Sequence, residues 1–414
     1  MRRRLLKPAI LLGCLLILSI KAVNAADQSR LTTMVRTVLE NHPSVLAVRA
    51  KLDAAEARQS AADQPLYNPD LDIEYEDTGD ITTKALELRQ SIDWGNKRAI
   101  RTRMAALARE GVAVEWSGIR QDLATELLTA LAAYHTAAEL ASLARQRRAL
   151  MQRFLELTEQ RRQAGDLGQV ALDLAKLAHI EATLQRTRSA VNQAQTEQTL
   201  LAVADNQQKP WPVLPAIPSP SLLDTKNIDA LLEQHPALRI ARTQIAIART
   251  SVNLHRRERK ADPTIGLRGG REASNNLIGL NLSIPLFVRN NFSAEVEAAN
   301  ANAIQVEQLA HNSYRRHRAK LISTARRYEL GYQTWVEWLQ TGRTSLDSQI
   351  QLLERLWRVG ELSTADYLVQ LKQTLDTRTA AAMLRGSLWQ TWFEWLATSG
   401  NTESWLRLKN EGAE

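Results

Sequence analysis

The chain has 414 residues, a formal net charge of +8 and a single cysteine, Cys14. The first 25 residues carry five cations and no acid, so the rest of the chain has a net charge of only about +3, with both signs interspersed. This pattern argues against a nucleic-acid surface. Beyond Cys14 the sequence also excludes disulfides, thiolate metal sites and cysteine nucleophiles.

The N-terminal segment 1–25 predicts a cleaved export signal. A basic stretch over residues 2–7 precedes an apolar stretch from Pro8 to Ile20, and Val23-Asn24-Ala25 fits the small-residue cleavage pattern. The mature chain is therefore expected to begin at Ala26. An uncleaved anchor is the less favoured alternative, because the apolar stretch is short for a membrane span of roughly 20 residues.

The mature chain repeats itself at offsets of 193–195 residues. Three landmarks recur in the same order, and an Ala- and Arg-rich helical segment follows the first of them in each copy, over 44–62 and 237–259. Such a recurrence indicates one structural unit used twice. The paired landmarks are Leu39-Glu40-Asn41-His42-Pro43 with Leu232-Glu233-Gln234-His235-Pro236, Asn68-Pro69 with Asp262-Pro263, and Gly165-Asp166-Leu167 with Gly360-Glu361-Leu362.

A proline-rich linker separates the two copies. Residues 209–220 contain five prolines, which prevent a helix and favour an extended connection. We therefore expect a first repeat over 26–208, the linker over 209–220 and a second repeat over 221–414.

Each repeat reads as helix, strand, strand, very long helix, turn and helix. From Gly95 to Arg162 the sequence has no proline and is rich in good helix formers, so a continuous helix there would be about 100 Å long. After the turn, apolar and small residues alternate at spacings of three and four, which is typical of a coiled-coil seam. The seam residues are Leu177, Ile180, Leu184, Thr187, Val191 and Ala194.

The predicted strands alternate apolar and polar residues. Examples are Leu71, Ile73 and Tyr75 against Asp72 and Glu74. Two soluble hairpins packed on helices would explain this pattern, and so would membrane strands with apolar residues outside and polar residues inside. A helix of about 100 Å cannot cover a small hairpin, which favours the barrel. Four strands are too few to close one, since about eight are needed, so three copies supplying twelve strands are expected.

These features resemble the TolC family of outer-membrane efflux proteins, and two segments look like the strand-to-helix exits of its CzcC-like heavy-metal branch. The expected fold is mostly α with a small β part: duplicated helical hairpins, plus four strands contributing to a trimeric 12-stranded barrel. The segments that carry the resemblance, besides the repeated landmarks, are 91–98 (SIDWGNKR) and 283–291 (SIPLFVRNN).

The resemblance implies a homotrimer in outer-membrane lipid, with a helical tunnel in the periplasm. The tunnel would dock on a periplasmic adaptor protein and, through it, on an inner-membrane RND pump. The expected docking residues lie at the two turns: Arg162, Gly165, Asp166 and Leu167, and Arg358, Val359, Gly360, Glu361, Leu362 and Ser363.

In the TolC family the tip turns resemble the pattern Arg/Tyr-x-x-Gly-x-(Leu/Val)-Ser. The second turn, with Gly360, Leu362 and Ser363, fits the end of this pattern better than the first turn does. The first turn has Gly168 where serine is usual. A glycine allows the left-handed backbone that reverses the chain, Ser363 can cap the next helix, and Leu362 offers an apolar contact at the tip. Asp366 is a candidate for an acidic ring at the tunnel entrance, where it would favour cations, although a solvated helix-start acid explains it equally well.

No arrangement of nucleophile, base and acid has a supporting spacing, and none of the seven histidines pairs at i, i+4. We therefore expect no enzyme activity, no cofactor and no bound structural metal. The alternatives are a channel for drug efflux or type I protein secretion, a periplasmic adaptor, or a coiled-coil scaffold. The duplication and the four amphipathic strands argue against the adaptor.

Overall fold

The computed structural model describes residues 28–204, 209–223 and 226–408. The predicted export signal, 1–25, lies outside these residues. The described chain is mostly helical and contains one four-stranded antiparallel sheet. This confirms the predicted fold class.

The elements follow the order expected from the sequence. They are α1 (28–41), α2 (Pro43–Ala62), β1 (Asp70–Asp77), β2 (Thr82–Ser91), α3 (Lys97–Gln163), α4 (Gln169–Val203), a 3-10 turn (Pro220–Leu222), α5 (Ile228–Gln234), α6 (Pro236–Glu258), β3 (Thr264–Glu272), β4 (Asn275–Ser283), α7 (Ser293–Glu337), a π-helical turn (Trp338–Gly342), α8 (Arg343–Arg358), α9 (Thr364–Ser399) and α10 (Thr402–Trp405).

The two long helical stretches differ in continuity. The helix α3 is unbroken for 67 residues, as its proline-free sequence predicts. Its counterpart in the second half is interrupted by the π-helical turn between α7 and α8, which sequence periodicity did not predict. At Gly342 an added Cβ would clash with the Trp338 ring, so the wide turn depends on a residue without a side chain.

The chain divides into two compact units, and each draws on both halves of the sequence. Among the described residues, the first unit comprises those within 28–42, 120–231 and 318–408, and the second comprises 43–119 and 232–317. The two predicted repeats follow one another along the chain, whereas each packed unit combines segments from both repeats.

The second unit contains the sheet and a layer of helices in the order α2, α3, α6, α7. Lys51 on α2 pairs with Glu115 on α3 at 2.7 Å. The helix α3 meets α6 at Gly111, where an added Cβ would lie 3.4 Å from Thr243. Small residues form the contact between α6 and α7, with Ala248 of α6 in the core there. Since each helix is joined to one strand, the helices follow the strand order.

The first unit is held by long-range polar contacts around α9. Arg147 on α3 pairs with Asp376 at 2.7 Å, and Arg385 pairs with Glu139 at 2.5 Å. The four aromatic residues near the end of α9 are buried, as their helical spacing predicts; they are Trp389, Trp392, Phe393 and Trp395. The linker also packs here, because His135 hydrogen-bonds to the carbonyl oxygen of Pro212 at 2.7 Å.

The predicted seam on α4 is left exposed by the described residues of the chain. Four of its apolar residues are more than half exposed: Leu177, Ile180, Leu184 and Val191. The helix instead buries Leu172, Ala175, Ala182, Leu200 and Val203. Among the described helices, none combines the length and apolar character needed to cross a membrane.

Candidate functional site

The four strands form one sheet in the order β1-β2-β3-β4. The strands β1 and β2 make one hairpin, β3 and β4 make the other, and β2 pairs with β3 from Thr83 opposite Glu272 to Ser91 opposite Thr264. The hairpins of the two halves are thus joined side by side. Within the described residues β1 and β4 are edge strands, whose outer backbone groups have no strand partner.

One face of the sheet is apolar and exposed. The register places Leu71, Leu88, Leu267 and Leu280 in one row across all four strands. These leucines are 63%, 53%, 60% and 78% exposed, so none of the described helices covers the row. A contiguous apolar surface of this kind indicates contact with another apolar phase or partner. The same face carries Ile73, Tyr75, Leu86, Ile265, Ile278 and Leu282.

The opposite face is polar, and its charges are paired across strands. Arg89 on β2 lies 2.6 Å from Asp72 on β1, and Arg268 on β3 lies 2.5 Å from Glu74. The side-chain amide of Asn281 donates to Glu87 at 3.4 Å. The predicted alternation is therefore observed in all four strands, which gives the sheet one apolar face and one polar face.

A buried ion pair lies where the sheet joins the helices. Lys97, at the start of α3, donates to Asp262 and to the carbonyl oxygen of Lys260, each at 2.8 Å. The hydroxyl of Tyr67 donates to the same Asp262 oxygen at 2.6 Å. The Lys97 and Asp262 side chains are only 9% and 7% exposed. The pair fixes the start of β3 against the end of the first hairpin.

The second candidate region comprises the two turns that join α3 to α4 and α8 to α9. Gly165 and Gly360 have φ of +84° and +82°, as the sequence predicts. In each turn the amide three residues past the helix donates back to a carbonyl oxygen of its last turn: Asp166 to Arg161 at 2.9 Å, and Glu361 to Leu356 at 3.0 Å. This is the Schellman arrangement. In the described part of the chain no atom beyond the two adjacent residues lies within 4 Å of a Cβ added at either glycine, so the requirement for glycine is conformational.

The turns differ in how the next helix begins. The Ser363 hydroxyl accepts from the Asp366 amide at 3.1 Å and donates to its carboxylate at 2.6 Å. In the first turn Gly168 supplies no side-chain cap to α4. The predicted capping by Ser363 is therefore observed, and the first turn lacks its counterpart. Asp366 is exposed and acts as a helix-start acid in the chain itself.

A shared core brings the two turns together. The Trp357 ring lies 4.9 Å from Phe154 and 5.3 Å from Tyr367, between centroids. The Arg161 guanidinium lies 5.3 Å from the Trp357 ring centroid and donates to the Trp357 carbonyl oxygen at 3.1 Å. Burial raises the pKa of Tyr367 to about 12. The two predicted tips therefore belong to one packed end.

The predicted docking residues divide by exposure. Leu167 and Leu362 are half-buried against the shared core, so Leu362 is not the exposed apolar contact that the sequence suggests. Val359 is 71% exposed, and so is Val170, at 74%, which the sequence analysis missed. The exposed members are Arg162, Gly165, Asp166, Arg358, Val359, Gly360, Glu361 and Ser363.

Sequence reasoning also missed Arg161 and Phe154. Their role depends on a neighbour about 200 positions away, which no local spacing reveals. Tyr367 lies next to the predicted Asp366, and its apolar setting could have been inferred only from helical periodicity along α9. In the described ranges no group of three or more His, Cys, Asp or Glu side chains is arranged to hold a metal ion.

No protein-family model and no curated protein matches the sequence. Solved structures do match the fold. The outer-membrane channel OprN matches with a TM-score of 0.77 at 15% identity, over 90% of each chain. CusC, described for its folding and transmembrane channel formation, gives 0.73 at 13%, over 90% of this chain and 92% of that one. The Campylobacter jejuni CmeC outer membrane channel gives 0.73 at 13%, over 93% and 90%. The chain therefore has the fold of these outer-membrane channel proteins.

Proposed function

We propose that this chain is the outer-membrane channel subunit of a tripartite efflux system, a homotrimer that acts as a passive conduit from the periplasm to the outside. The observation that carries the proposal is the sheet, with its exposed apolar face, its ion-paired polar face and its two open edges. Lipid outside and water inside would satisfy both faces. Pairing of β4 with β1 of the next copy would satisfy both edges.

Three copies account for the surfaces that one copy leaves open. Twelve strands of 8–10 residues give a barrel wide enough for a water-filled lumen, with strands near the length of roughly 9–11 residues needed to cross the membrane. The exposed stripe on α4 supports the same assembly. Residues Leu177, Ile180, Leu184 and Val191 would pack against a neighbouring copy in the helical tunnel.

The turns at the packed end are the proposed docking tips for a periplasmic adaptor, which connects the channel to an inner-membrane RND pump. Gly165 and Gly360 allow the chain to reverse direction. The proposed contact surface consists of the residues beside them, from Arg162 to Leu167 and from Arg358 to Ser363. Val359 is the most exposed apolar side chain of this set. In the trimer, three copies of Asp366 near the axis would favour cations.

The proposal includes the sequence-based organisation: an export signal at 1–25, repeats at 26–208 and 221–414, and the linker at 209–220. Heavy-metal cations are the proposed cargo, on the likeness of the segments 91–98 and 283–291 to the CzcC-like branch. Drug efflux and protein secretion are the alternatives that the experiment separates.

The test is growth of a deletion strain on divalent metals, copper, silver and a panel of drugs, complemented with the wild type, Val359→Asp or Val213→Asp. Val213 is 56% exposed in the linker and serves as the matched control. We expect the deletion strain to be sensitive to metals, and we expect the wild type and Val213→Asp, but not Val359→Asp, to restore metal resistance at equal levels of trimer. Rescue by Val359→Asp would contradict the docking site. Sensitivity to drugs alone would contradict the metal cargo, and a monomer by light scattering in mild detergents would contradict the trimer.

A further inference from the structure

The end of the sheet that joins the helices is strongly basic. We call it the foot and define it as residues 93–101 and 256–262. It contains seven lysines and arginines and three carboxylates. Contacts hold its two segments together, since Lys97 donates to the Lys260 carbonyl oxygen at 2.8 Å and Arg101 lies 3.7 Å from Glu258. The foot is therefore one patch of the folded second unit.

The three carboxylates of the foot are already engaged. Asp93 accepts from the first two amides of α3, each at 2.8 Å. Glu258 accepts from His255 at 2.9 Å and faces Arg101, and Asp262 is buried against Lys97. None of them neutralises the remaining cations.

Five exposed cations of the foot have no ion pair among the described residues; they are Arg98, Arg256, Arg257, Arg259 and Lys260, of which Arg257 donates to the Gly95 carbonyl oxygen at 3.4 Å. Helix electrostatics explains only part of this set. Cations at the end of α6 interact favourably with the helix dipole, but Arg98 lies in the first turn of α3, where a cation is disfavoured and where α3 carries no acid. A ligand that is itself anionic would remove this disadvantage.

Exposed apolar side chains lie at the same end of the sheet. Trp94 is 73% exposed, and Leu286 and Val288, which follow β4, are 77% and 86% exposed. A tryptophan between an apolar surface and a charged one is typical of a membrane interface. The far end of the sheet is net acidic: residues 76–84 and 271–276 contain four carboxylates and two cations.

We propose that the foot binds the phosphate headgroups of anionic phospholipids in the leaflet nearest the helices. This inference rests on the proposed membrane location of the sheet. The apolar face would meet the acyl chains, and the unpaired cations would lie at headgroup level, where each basic residue strengthens binding to an anionic surface. The acidic far end makes the arrangement directional, so only one end of the sheet selects anionic lipid.

The test uses the detergent-purified full chain and native mass spectrometry with phosphatidylglycerol and phosphatidylcholine of equal chain length. The foot variant is Arg256→Gln, Arg259→Gln and Lys260→Gln. The control variant is Arg239→Gln, Arg315→Gln and Arg316→Gln, which removes three exposed cations of the same unit far along the helices. We expect the wild type and the control to prefer phosphatidylglycerol by at least about tenfold, and the foot variant to lose about tenfold of that preference.

Equal binding of the two lipids by the wild type, or an equal loss in both variants, would overturn the proposal. So would displacement of the lipid by inorganic phosphate, which would indicate a site for free phosphate. Channel conductance in planar bilayers, measured in parallel, separates this proposal from the proposed function. A conducting channel without lipid preference contradicts the lipid proposal alone. Lipid preference without conductance contradicts the proposed channel function.

Discussion

Replacement of Lys97 by Met should be strongly destabilising. The change leaves the Asp262 carboxylate buried without its cation, since Lys97 is its only ionic partner in the described chain, at 2.8 Å with both side chains under 10% exposed. Loss of one partner from a buried ion pair costs about 3–5 kcal/mol. Replacing both residues, as Lys97→Met with Asp262→Leu, removes the stranded charge.

The double variant still leaves the Tyr67 hydroxyl without its acceptor, and because the Tyr67 side chain is 37% exposed, water limits this cost to about 1 kcal/mol. Adding Tyr67→Phe should bring the unfolding free energy to within about 1 kcal/mol of the wild type, because apolar residues replace such pairs at little cost. The predicted order of stability is therefore wild type and triple variant, then double variant, then Lys97→Met.

The assay is urea unfolding in detergent micelles, followed by tryptophan fluorescence, with Lys51→Met as the control. Lys51 pairs with Glu115 at 2.7 Å, but the two side chains are 49% and 35% exposed, so its loss should cost at most about 1 kcal/mol. If Lys97→Met costs no more than Lys51→Met, or if the double variant is less stable than the single one, the reasoning from burial is refuted.

Two further predictions concern the tips. Gly360→Ala should destabilise the tip by about 1–2 kcal/mol, because φ is +82° there. The control Gly168→Ala, at φ −79°, should be neutral. Hydrogen exchange of the neighbouring amides measures the effect of each change, and equal effects would contradict the argument. Tyr367 has a pKa raised to about 12, so the stability it contributes is present below pH 10 and is lost as pH rises from about 10 to about 12. Tyr367→Phe should abolish that part of the alkaline unfolding transition, and an unchanged transition would contradict it.

The sequence predicted the elements well where the signal is local. Proline-free helix formers between Gly95 and Arg162 predict α3, and alternation in β1 predicts its two faces. Positive φ at Gly165 and Gly360 follows from helix-ending glycines. These features depend on a few neighbouring residues, so a single sequence contains the information needed.

What the sequence could not predict depends on distant partners. The α4 stripe was identified, but not that it faces away from its own chain. Leu362 lies at the tip as expected, yet the Trp357 core half-buries it. The link from Arg161 to Trp357 crosses 196 positions, and neither residue type nor spacing indicates such a contact.

The shared order of strands and helices in the second unit has a mechanical consequence for the seam between β2 and β3. The smallest slip that keeps each side chain on its face is two strand residues, about 6.6 Å. The neighbouring helices α3 and α6 would accept a slip of one turn, about 5.4 Å. The two steps differ in length, so a slip that restores the strand pairing does not restore the helix packing. Only one register satisfies the strand pairing and the helix packing together, so each of them independently fixes the alignment of the second unit.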